Sequence, residues 1–587
     1  MDELNKNFPV GLSDFNAVRK YDSLYVDKTE YIHRLIKSIG SSKYWFLARP
    51  RRFGKSLLVD TLNELFLGHK ELFEGLNIHS QGYDFEPYPI VNLSLDSVSS
   101  HSASEMNSSL INQLEAKARV ENIPVSDPNR SNKLPPLRPI DIFSNLLERL
   151  AEKHKKNVVV LIDEYDKPIL DHLDNEVKVK EIRASLREFY GALKSKIKYL
   201  HFVFITGISK VAQTAIHSAL NNLVDLTLDQ EYAAICGYTK AEFLAAFSPY
   251  FDSTLKFLAD NDEILENHTA EGLIQEIFDM YDGYSWDGRT RVLNPYSINN
   301  FFRTKELKSF WFMTGGPPTY LDQAIKMDPK AFLELTLTKF RESELVSASL
   351  GSANPIPTLF QTGYLTVGQK IPLTRGRRPS SESDDALPTS RSKKRGPLYT
   401  LKVPNQEVTE PYELALFQIL SPSLSSKKDT EIEQIYQKIG NYLIKKDIIL
   451  LENEFKSLLS SISYTSNTPN HSYYQAAFQI ILKCLTFDVR PEVLSAEGRS
   501  DLEITLSDDL KVIIELKYIP NPNEDKKDAD WIHKKLDQAV QAALTQIEEK
   551  NYARQYLGQY KVLKMGLAIY HRAEVKVGFG PDQEKNG

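Results

Sequence analysis

Two short stretches of the chain contain residue types that bind phosphate and activate water. The first is the turn Gly54-Lys55-Ser56, which follows an apolar run at Tyr44–Ala48 and opens a helical pattern. In phosphate-binding loops the glycine lets the backbone approach the phosphates, the lysine reaches the β- and γ-phosphates, and the hydroxyl binds Mg²⁺. The order of strand, turn and helix is the one that such a loop requires.

The second stretch is the apolar run Val158–Ile162, which ends in Asp163 and Glu164. In P-loop ATPases the first of two such acids holds Mg²⁺ and the second polarises the attacking water. Another buried-type strand, His201–Thr206, ends in a hydroxyl placed to sense the γ-phosphate or to orient the water. Taken alone, the acids also fit a strand that leaves into a polar loop, and Thr206 also fits a helix or turn cap.

Three arginines give the turn a second interpretation. Arg49 stands where a phosphate loop normally has its first glycine, and a lone Gly-Lys-Ser is frequent by chance. Arg51 or Arg52 could neutralise phosphate charge, because a guanidinium is a planar fork of donors. At least one of the arginines could instead pair with the acids at positions 163, 164 or 166. From the turn alone, a nucleotide site and a basic start to a helix both stay open.

The elements that would position these residues follow a regular pattern. Over the first 230 residues apolar strands alternate with helical spacers, which predicts an open, mostly parallel α/β sheet covered on both faces. Helical patterns follow to about residue 350 and again from about 405 to 486. The predicted strands are Tyr44–Ala48, Tyr88–Leu95, Asn157–Ile162, His201–Thr206, Val224–Leu228, Ser500–Leu506 and Lys511–Tyr518, and the clearest predicted helices are Ser56–Phe66, Val177–Lys198 and Trp531–Lys550.

A second group of charged residues lies near the C-terminal end. Strand side chains alternate between faces, so Glu515 and Lys517 project together, and a hairpin brings Asp501 alongside them. Hard oxygen ligands of this kind suit Mg²⁺ or Mn²⁺, which would activate water while the lysine holds the nucleophile or a phosphate. The spacing alone is a weak signal, because half-exposed strands often carry pairs of acid and lysine.

Composition bounds the class of protein. The 587 residues are enough for about two to four domains, and the net charge of −6 leaves no global basic field for nucleic acid. Cys236 and Cys484 form neither a metal-binding spacing nor a disulfide framework, which favours a reducing compartment. No signal peptide and no apolar run of the ~20 residues that span a bilayer is visible, so we expect a soluble intracellular protein.

One tract differs from the rest of the chain. Residues 370–397 are rich in Ser and Pro and contain eight Lys/Arg against three Asp/Glu, which predicts a disordered insertion. Within it, Arg391-Ser-Lys-Lys-Arg395 also fits a nuclear-import or nucleic-acid patch if the protein acts in a eukaryotic cell.

An ordered set of motifs resembles the AAA-ATPase-like family, whose members typically carry a C-terminal PD-(D/E)XK nuclease-type domain. In that family Arg-Pro-Arg-Arg-Phe-Gly-Lys-[Ser/Thr] is the normal form of the phosphate loop, and the resemblance covers nearly the whole chain. The motifs are Arg49-Pro-Arg-Arg-Phe-Gly-Lys-Ser56, Leu161-Ile-Asp-Glu-Tyr-Asp-Lys-Pro168, Thr206-Gly-Ile-Ser209, Leu220-Asn-Asn-Leu223, Cys236-Gly-Tyr-Thr239, Asp282-Gly-Tyr284, Asn294-Pro-Tyr-Ser297, Trp311-Phe-Met-Thr-Gly315, Gln361-Thr-Gly-Tyr-Leu365, Pro404-Asn-Gln-Glu-Val408 and Gly498-Arg-Ser-Asp501.

The resemblance implies an α/β fold with several parts. Residues 1–235 would form a P-loop NTPase (ASCE/AAA-like) domain with a parallel sheet, and residues 236–368 a helical lid or middle region. Residues 369–398 would be the disordered basic insertion. Residues 399–587 would contain a helical connector and an α/β restriction-endonuclease-like domain.

For the first domain the resemblance implies a site for ATP and Mg²⁺ in which Glu164 is catalytic. Asn221 and Asn222 would be further polar contacts, and Arg289, Arg291 and Arg303 are candidates for an arginine finger, with surface solvation as the alternative for each. The implied nucleotide-binding residues are Arg49, Arg51, Arg52, Gly54, Lys55, Ser56, Asp163 and Thr206, of which Ser56 and Asp163 would hold the metal.

For the second domain the resemblance implies a nuclease centre with Mg²⁺ or Mn²⁺ on Asp501 and Glu515 and with Lys517 beside them. Glu492 and Gln546 match other positions of that domain. One departure concerns the preceding helix, Tyr473–Leu482, which contains no acid where many active nucleases of the superfamily have a glutamate. Gln475 on this helix could bind a phosphate or a water, but without the charge of a carboxylate.

Three functions stay open at this stage. The chain would be an ATP-hydrolysing switch fused to a metal-dependent nuclease, an ATPase whose nuclease-like domain only binds nucleic acid or protein, or a signalling NTPase scaffold. The expected partners are ATP, DNA or RNA, and other copies of the chain in a homo-oligomer, with no membrane. The expected location is the cytoplasm, or the nucleus in a eukaryotic cell.

Overall fold

The structure is a computed structural model, and its chain divides into two compact units. The first contains residues 1–317 and 339–409, and the second contains residues 318–338 and 410–587. The structure describes residues 6–125, 137–172, 175–209, 220, 222–260, 269–314, 338–346, 356–372, 396–462, 471–491, 494–495, 498–521, 528–556, 558–571 and 574–582.

The first unit is built on the predicted parallel sheet. Its five strands lie in the order β2-β3-β4-β1-β5, and every neighbouring pair is parallel. One strand, β4, therefore separates β1 from β3, as in ASCE-type P-loop proteins, and the predicted fold class is confirmed. The strands are β1 (Tyr44–Ala48), β2 (Ile90–Ser94), β3 (Val158–Asp163), β4 (Leu200–Gly207) and β5 (Val224–Asp225).

Helices cover this sheet and account for its continuously apolar strands. Every residue of β1 and β3 is buried, as predicted for strands covered on both faces. A single core joins the sheet to three long helices, α5, α6 and α8. The described helices of this part are α1 (Phe15–Lys20), α2 (Thr29–Lys37), α3 (Lys55–Leu67), α4 (Asn77–Ser80), α5 (Ala103–Val120), α6 (Pro139–His154), α7 (Lys167–Leu170) and α8 (Glu176–Ser195).

The predicted helical middle region follows β5 and has an aromatic core. Phe302 lies at its centre, with its ring 4.7 Å from that of Phe247 and 6.1 Å from that of Phe243. The described helices are α9 (Lys240–Phe247), α10 (Phe251–Asp260), α11 (Ala270–Tyr281), α12 (Pro295–Thr304), α13 (Phe310–Thr314), α14 (Glu342–Val346) and α15 (Ile356–Thr362).

Sequence analysis missed a small antiparallel sheet in the first unit. Its strands are β6 (Lys339–Arg341), β7 (Thr366–Ile371) and β8 (Leu398–Lys402), in the order β6-β8-β7. These strands are short and pair across long stretches of chain, so local periodicity does not reveal them. The predicted disordered tract falls largely on residues 373–395, which lie outside the described residues.

A buried acid ends the first unit. Glu407 lies in the first turn of α16 (Gln406–Leu420) and is completely inaccessible to solvent. Its carboxyl accepts hydrogen bonds from Ser297 Oγ at 2.8 Å and from the backbone N–H of Trp311 at 2.7 Å. Burial raises the pKa of this carboxyl to about 8. The carboxyl of Glu407 thus connects α16 to two other helices, through Ser297 and Trp311.

The second unit combines helices with a mixed sheet of order β15-β14-β13-β12-β9. Only the pair β13 and β14 is parallel, and the other three pairs are antiparallel. The predicted helical connector and the two predicted strands are confirmed, whereas β9, β14 and β15 were not predicted. The elements are α17 (Pro422–Ser425), α18 (Asp429–Lys445), α19 (Ile448–Ser460), α20 (His471–Cys484), β9 (Asp488–Pro491), β10 (Leu494–Ser495), β11 (Gly498–Arg499), β12 (Leu502–Ser507), β13 (Leu510–Ile519), α21 (Ala529–Glu549), β14 (Lys561–Tyr570) and β15 (Glu574–Phe579).

The long helix α21 packs closely on the sheet of the second unit. A Cβ atom on Gly566 of β14 would lie 2.8 Å from the carbonyl oxygen of Val540, so only glycine allows this approach. Within the described part of the chain, no helix is both long enough and apolar enough to cross a membrane.

Glu407 allows a prediction about the pH dependence of stability. Because its pKa rises from 4.5 to about 8 on folding, the folded state binds more protons between these pH values, and stability falls as pH rises through this window. Glu407→Gln keeps an acceptor for the Trp311 N–H and cannot ionise. We expect the melting temperature of this variant, relative to wild type, to be at least about 2 °C higher at pH 8.5 than at pH 6.

Differential scanning fluorimetry at both pH values measures this difference. Glu410→Gln, an exposed position of the same helix, is the matched control and should show no such change. An equal difference at pH 6 and pH 8.5 for Glu407→Gln would contradict the assignment of a neutral buried acid.

Candidate functional site

The loop between β1 and α3 has the backbone of a phosphate-binding turn. Gly54 caps α3 with a φ of +89°, a conformation that L-residues with side chains rarely adopt. The first amide groups of a helix have no acceptor within the helix, so those at the start of α3 are available to an anion. Lys55 and Ser56, the first two residues of the helix, both line an adjacent cavity.

This cavity has a volume of about 620 Å³, which is within the range of small-molecule and cofactor sites. Its wall includes the phosphate loop, the acidic residues Asp96 and Glu164, and the segment Pro9–Ser13 near the N-terminal end. Tyr296 and Asn299 of α12 complete the wall from the helical region. All of these residues belong to the first unit.

The lysine and the two predicted acids meet beside the loop. Lys55 is almost fully buried, and its Nζ donates to the carbonyl oxygen of Pro50 at 2.9 Å. Burial lowers the pKa of Lys55, while the charges of Asp163 and Glu164 act in the opposite direction. Lys55 follows β1 at the start of α3, and the two acids stand at the end of β3. The two strands are separated by β4, and their parallel order places their carboxyl ends at the same edge of the sheet.

Glu164 occupies a strained position at this edge. Its φ is +50°, and its backbone N–H donates to Asp163 Oδ1 at 2.9 Å. The pKa of the Glu164 carboxyl is raised to about 7: burial is the largest cause, Lys55 lowers the pKa, and the charges of Asp96 and Asp163 raise it. A carboxylate with this pKa at a cavity wall can accept a proton from water near neutral pH.

The predicted phosphate-sensing residue, Thr206, lies at the end of β4. It is completely buried, and its hydroxyl donates to the carbonyl oxygen of Leu47 at 2.8 Å. The structure therefore places this hydroxyl in a bond between β4 and β1, close to the loop. Its contact with a phosphate stays a prediction.

The three arginines of the loop have different environments. Arg49 is completely buried: its guanidinium donates to the carbonyls of Ala48 and Thr227 at 2.9 Å each and stacks 4.0 Å over the ring of Trp286. Burial lowers its pKa to about 10. Arg49 does not line the cavity, and its hydrogen bonds hold parts of the protein's own main chain together. Its predicted contact with a nucleotide stays a prediction.

Arg51 and Arg52, in contrast, are exposed and line the cavity. The guanidinium of Arg52 lies 4.7 Å over the ring of Tyr296, which is a cation–π contact. The backbone carbonyl of Arg51 accepts a hydrogen bond from the indole N–H of Trp311 at 3.1 Å. These two arginines therefore lie on the side of the loop that faces the cavity, and their contact with a phosphate stays a prediction.

A buried aspartate locks β3 to β4 behind this site. Asp166 is completely buried and accepts from the backbone N–H of Ser209 at 2.6 Å and from its hydroxyl at 2.7 Å. A Cβ atom on Gly207 would lie 2.3 Å from Asp166 Oδ1, so this position accepts only glycine. The motifs at 163–166 and 206–209 are thus joined by hydrogen bonds between Asp166 and Ser209.

The remaining predicted residues of the nucleotide site do not line the cavity or are not among the described residues. Asn221 is not among the described residues, and Asn222 is exposed. Arg303 donates to Asn300 Oδ1 at 3.1 Å. The candidates for an arginine finger, Arg289, Arg291 and Arg303, do not line the cavity.

The three predicted residues of the nuclease centre come together in the second unit. Leu502 of β12 pairs with Ile514 of β13, which places Asp501 opposite Glu515. Asp501 Oδ2 accepts the backbone N–H of Leu516 at 2.8 Å, and Lys517 Nζ donates to Glu515 Oε1 at 2.9 Å. The predicted hairpin therefore gives the predicted convergence of two carboxylates and a lysine.

Glu515 is the most unusual group of this centre. Its side chain is 2% exposed, and burial, followed by the charge of Asp501, raises its pKa to about 7. Its second oxygen, Oε2, is buried and has no hydrogen-bond partner among the described residues. An orphaned carboxylate oxygen beside a second carboxylate fits a hard divalent cation, which would supply the missing partner.

A cation here would depend on few protein ligands. The described residues contain no group of three or more His, Cys, Asp or Glu arranged to hold a metal. Mg²⁺ usually keeps several waters and binds through one or two carboxylates together with substrate phosphates, so two carboxylates suit it.

Two glutamines predicted at this centre contact its members. Gln475 Nε2 donates to the backbone carbonyl of Asp501 at 3.0 Å, and Gln546 Oε1 accepts from Lys517 Nζ at 2.7 Å. Gln546 in turn donates to the hydroxyl of Tyr552 at 3.2 Å. Glu492 lies outside the described residues.

Sequence analysis missed His471, the first residue of α20. Its Nε2 is 2.8 Å from the carbonyl oxygen of Leu516 and 3.5 Å from Asp501 Oδ2. The hydrogen bond with Asp501 raises the pKa of His471. Its position one helical turn before Gln475 puts both residues on one face of the helix, and this spacing was the available signal.

Comparisons with known proteins match two parts of the chain to protein families. A family model described as "Predicted AAA-ATPase" matches residues 9–217, and a model described as "PD-(D/E)XK nuclease superfamily" matches residues 470–578. The chain is 29% identical over 582 residues to a protein of Azotobacter chroococcum mcd 1 described as "Uncharacterized protein in vnfD 5'region", with 98% of each chain covered. No solved structure matches the chain. The chain therefore combines an AAA-ATPase-like domain with a C-terminal domain of the PD-(D/E)XK nuclease superfamily.

Proposed function

We propose that this protein binds and hydrolyses ATP in its first unit and cleaves nucleic acid, under nucleotide control, with the nuclease-like centre of its second unit. The observation that carries the proposal is a buried lysine at the start of α3 that lines a cavity of about 620 Å³ together with Glu164, with the charge of Asp163 also acting on the lysine. The proposal assigns residues 1–235 to the ATPase domain, 236–368 to a helical lid, and 399–587 to the connector and nuclease-like domain. Other copies of the chain are proposed partners.

In the ATPase site, each residue has a role that follows from its position. The backbone of Gly54 and the first amides of α3 bind the phosphates, and Lys55 neutralises the β- and γ-phosphates. Ser56 and Asp163 hold the Mg²⁺ that accompanies ATP and offsets its charge. Glu164 orients the attacking water and accepts its proton.

In the nuclease-like centre, the polar groups surround one position. Asp501 and Glu515 would hold a divalent cation, Mg²⁺ or Mn²⁺, which supplies an activated water and stabilises the leaving oxygen. Lys517, held by Glu515 and Gln546, orients the nucleophile or a phosphate of the substrate. The substrate class is DNA or RNA.

A second candidate function rests on Gln475. Gln475 is an amide on the helix where many active nucleases of the superfamily have an acid. Its side chain donates a hydrogen bond to the backbone carbonyl of Asp501. The second unit would then bind nucleic acid or a protein without cleaving it, and the ATPase would act as a signalling scaffold.

The proposal also includes a location. Cys236 and Cys484 are free thiols, as is usual in reducing compartments. We place the protein in the cytoplasm, where ATP is available, or in the nucleus of a eukaryotic cell.

The ATPase site is tested with two variants that separate binding from hydrolysis. Lys55→Ala removes the cation beside the phosphates, and we expect ATP binding at least about tenfold weaker. Glu164→Gln keeps the shape of the site but loses the proton acceptor, so we expect affinity within about twofold of wild type and turnover reduced by about 10²-fold. Isothermal titration calorimetry and a phosphate-release assay measure the two quantities.

Lys20→Ala and Glu152→Gln, at exposed positions of α1 and α6, are the matched controls and should behave as wild type. Equal ATP turnover in wild type, Lys55→Ala and Glu164→Gln would reject the assignment of the site.

The nuclease-like centre is tested with plasmid, single-stranded DNA and RNA, each with Mg²⁺ or Mn²⁺ and with or without ATP. We expect cleavage by the wild type and its loss, by at least about 10²-fold, in Lys517→Ala and Glu515→Gln, because both remove a group at the cation position. Calorimetric titration with Mn²⁺ alone should show weaker metal binding in Glu515→Gln. Lys438→Ala, on the exposed side of α18, is the control. Retained binding of nucleic acid without cleavage by the wild type would favour the second candidate instead.

A further inference from the structure

The phosphate loop of the first unit is held from behind by one tryptophan. The indole N–H of Trp311 donates to the carbonyl oxygen of Arg51 at 3.1 Å, and the side chain is buried. Gly363 packs against the loop and the tryptophan: a Cβ atom on Gly363 would lie 2.7 Å from Pro50 and 3.1 Å from the ring of Trp311. The loop therefore borders the cavity on one side and the helical region on the other.

Trp311 is in turn held by Glu407. Its backbone N–H donates to Glu407 Oε1 at 2.7 Å, and this carboxyl is completely buried. A buried acceptor that loses its donor keeps the full cost of desolvation, so the two residues move together.

A second connection leads from the loop to the same carboxyl. The guanidinium of Arg52 lies over the ring of Tyr296, which lines the cavity. The next residue, Ser297, donates its hydroxyl to both oxygens of Glu407, at 2.8 and 3.0 Å. Two adjacent residues of the phosphate loop are thus connected to Glu407 through two different helices.

Glu407 stands at the start of a helix that crosses the boundary between the units. Helix α16 runs from Gln406 to Leu420, and its residues from Glu410 onward belong to the second unit. A displacement of Glu407 is therefore a displacement of the first turn of this helix.

The peptide group that Trp311 holds joins two residues that line the cavity, Arg51 and Arg52. The carbonyl of Arg51 and the N–H of Arg52 belong to one planar peptide unit, which rotates as a rigid body. Rotation that turns the N–H toward a bound phosphate moves the carbonyl relative to the indole. Such a rotation would change the geometry of the hydrogen bond to Trp311.

We infer that Glu407 is a positioning residue of the nucleotide site and that, through Trp311 and Ser297, it transmits nucleotide occupancy of the phosphate loop to helix α16. The inference rests on the proposed binding of ATP and specifies how nucleotide state would reach the second unit. The nucleotide-free and nucleotide-bound states then differ in the stability of the first turns of α16.

Hydrogen–deuterium exchange of the full chain, with and without ATP and Mg²⁺, tests the inference. In the wild type we expect exchange of the amides in Gln406–Leu420 to change by about tenfold on nucleotide binding. Trp311→Phe keeps one aromatic ring and removes the indole N–H together with the second ring, a loss of volume that the control below shares. We expect this change to fall below about twofold while ATP affinity stays within about threefold. Glu407→Gln keeps an acceptor for Trp311 and a partner for Ser297, and we expect it to retain the response, whereas Glu407→Ala loses it.

Trp45→Phe is the matched control. Trp45 is buried in β1, and its indole N–H has no hydrogen-bond partner among the described residues. The substitution therefore removes the same atoms as Trp311→Phe but breaks no hydrogen bond. It should respond to nucleotide as the wild type does.

Two outcomes separate this inference from the proposed function. If the wild type binds ATP and α16 shows no change, or if Trp311→Phe retains the full change, the inference is wrong and the ATPase assignment is unaffected. If calorimetry shows no ATP binding by the wild type, the proposed function fails and the inference fails with it.

Discussion

The position of β4 between β1 and β3 is the constraint on which the nucleotide site depends. It brings the lysine that follows β1 and the acids that end β3 to one edge of a parallel sheet. Burial disfavours the charged form of both Lys55 and Glu164, and their mutual attraction opposes that effect. The hydrogen bonds between Asp166 and Ser209 tie the segments that follow β3 and β4 to each other at this edge.

Buried ionisable groups with backbone partners recur around this site. Arg49 is surrounded by carbonyl oxygens, and Glu407 accepts a backbone N–H and a hydroxyl. Both groups make hydrogen bonds to main-chain atoms, so each is sensitive to small movements of the main chain. This arrangement suits a loop whose shape has to change when a charged ligand binds, because desolvated groups respond strongly to the loss of a partner.

The second unit also places a buried ionisable group, Glu515, in its sheet. Antiparallel pairing of β12 with β13 sets Asp501 opposite Glu515, and burial leaves one oxygen of Glu515 without a partner among the described residues. His471 and Gln475 approach from one face of α20 and contact the residues around Asp501. The helix thus contributes hydrogen-bond donors where an acid was expected, which is the chemical difference that separates the two candidate functions.

The sequence by itself determined the order of the strands' motifs, the parallel sheet, the hairpin and the residues that it brings together, because these follow from local periodicity and from the spacing of charged residues. Only the tertiary structure decided which charges are buried. The three arginines of the loop look alike in sequence, yet Arg49 lies inside the fold while Arg51 and Arg52 line the cavity. His471 and Glu407 were overlooked for the same reason: each acquires its partners from residues distant along the chain. Desolvation and hydrogen bonding across such distances depend on packing, which no local pattern in a sequence records.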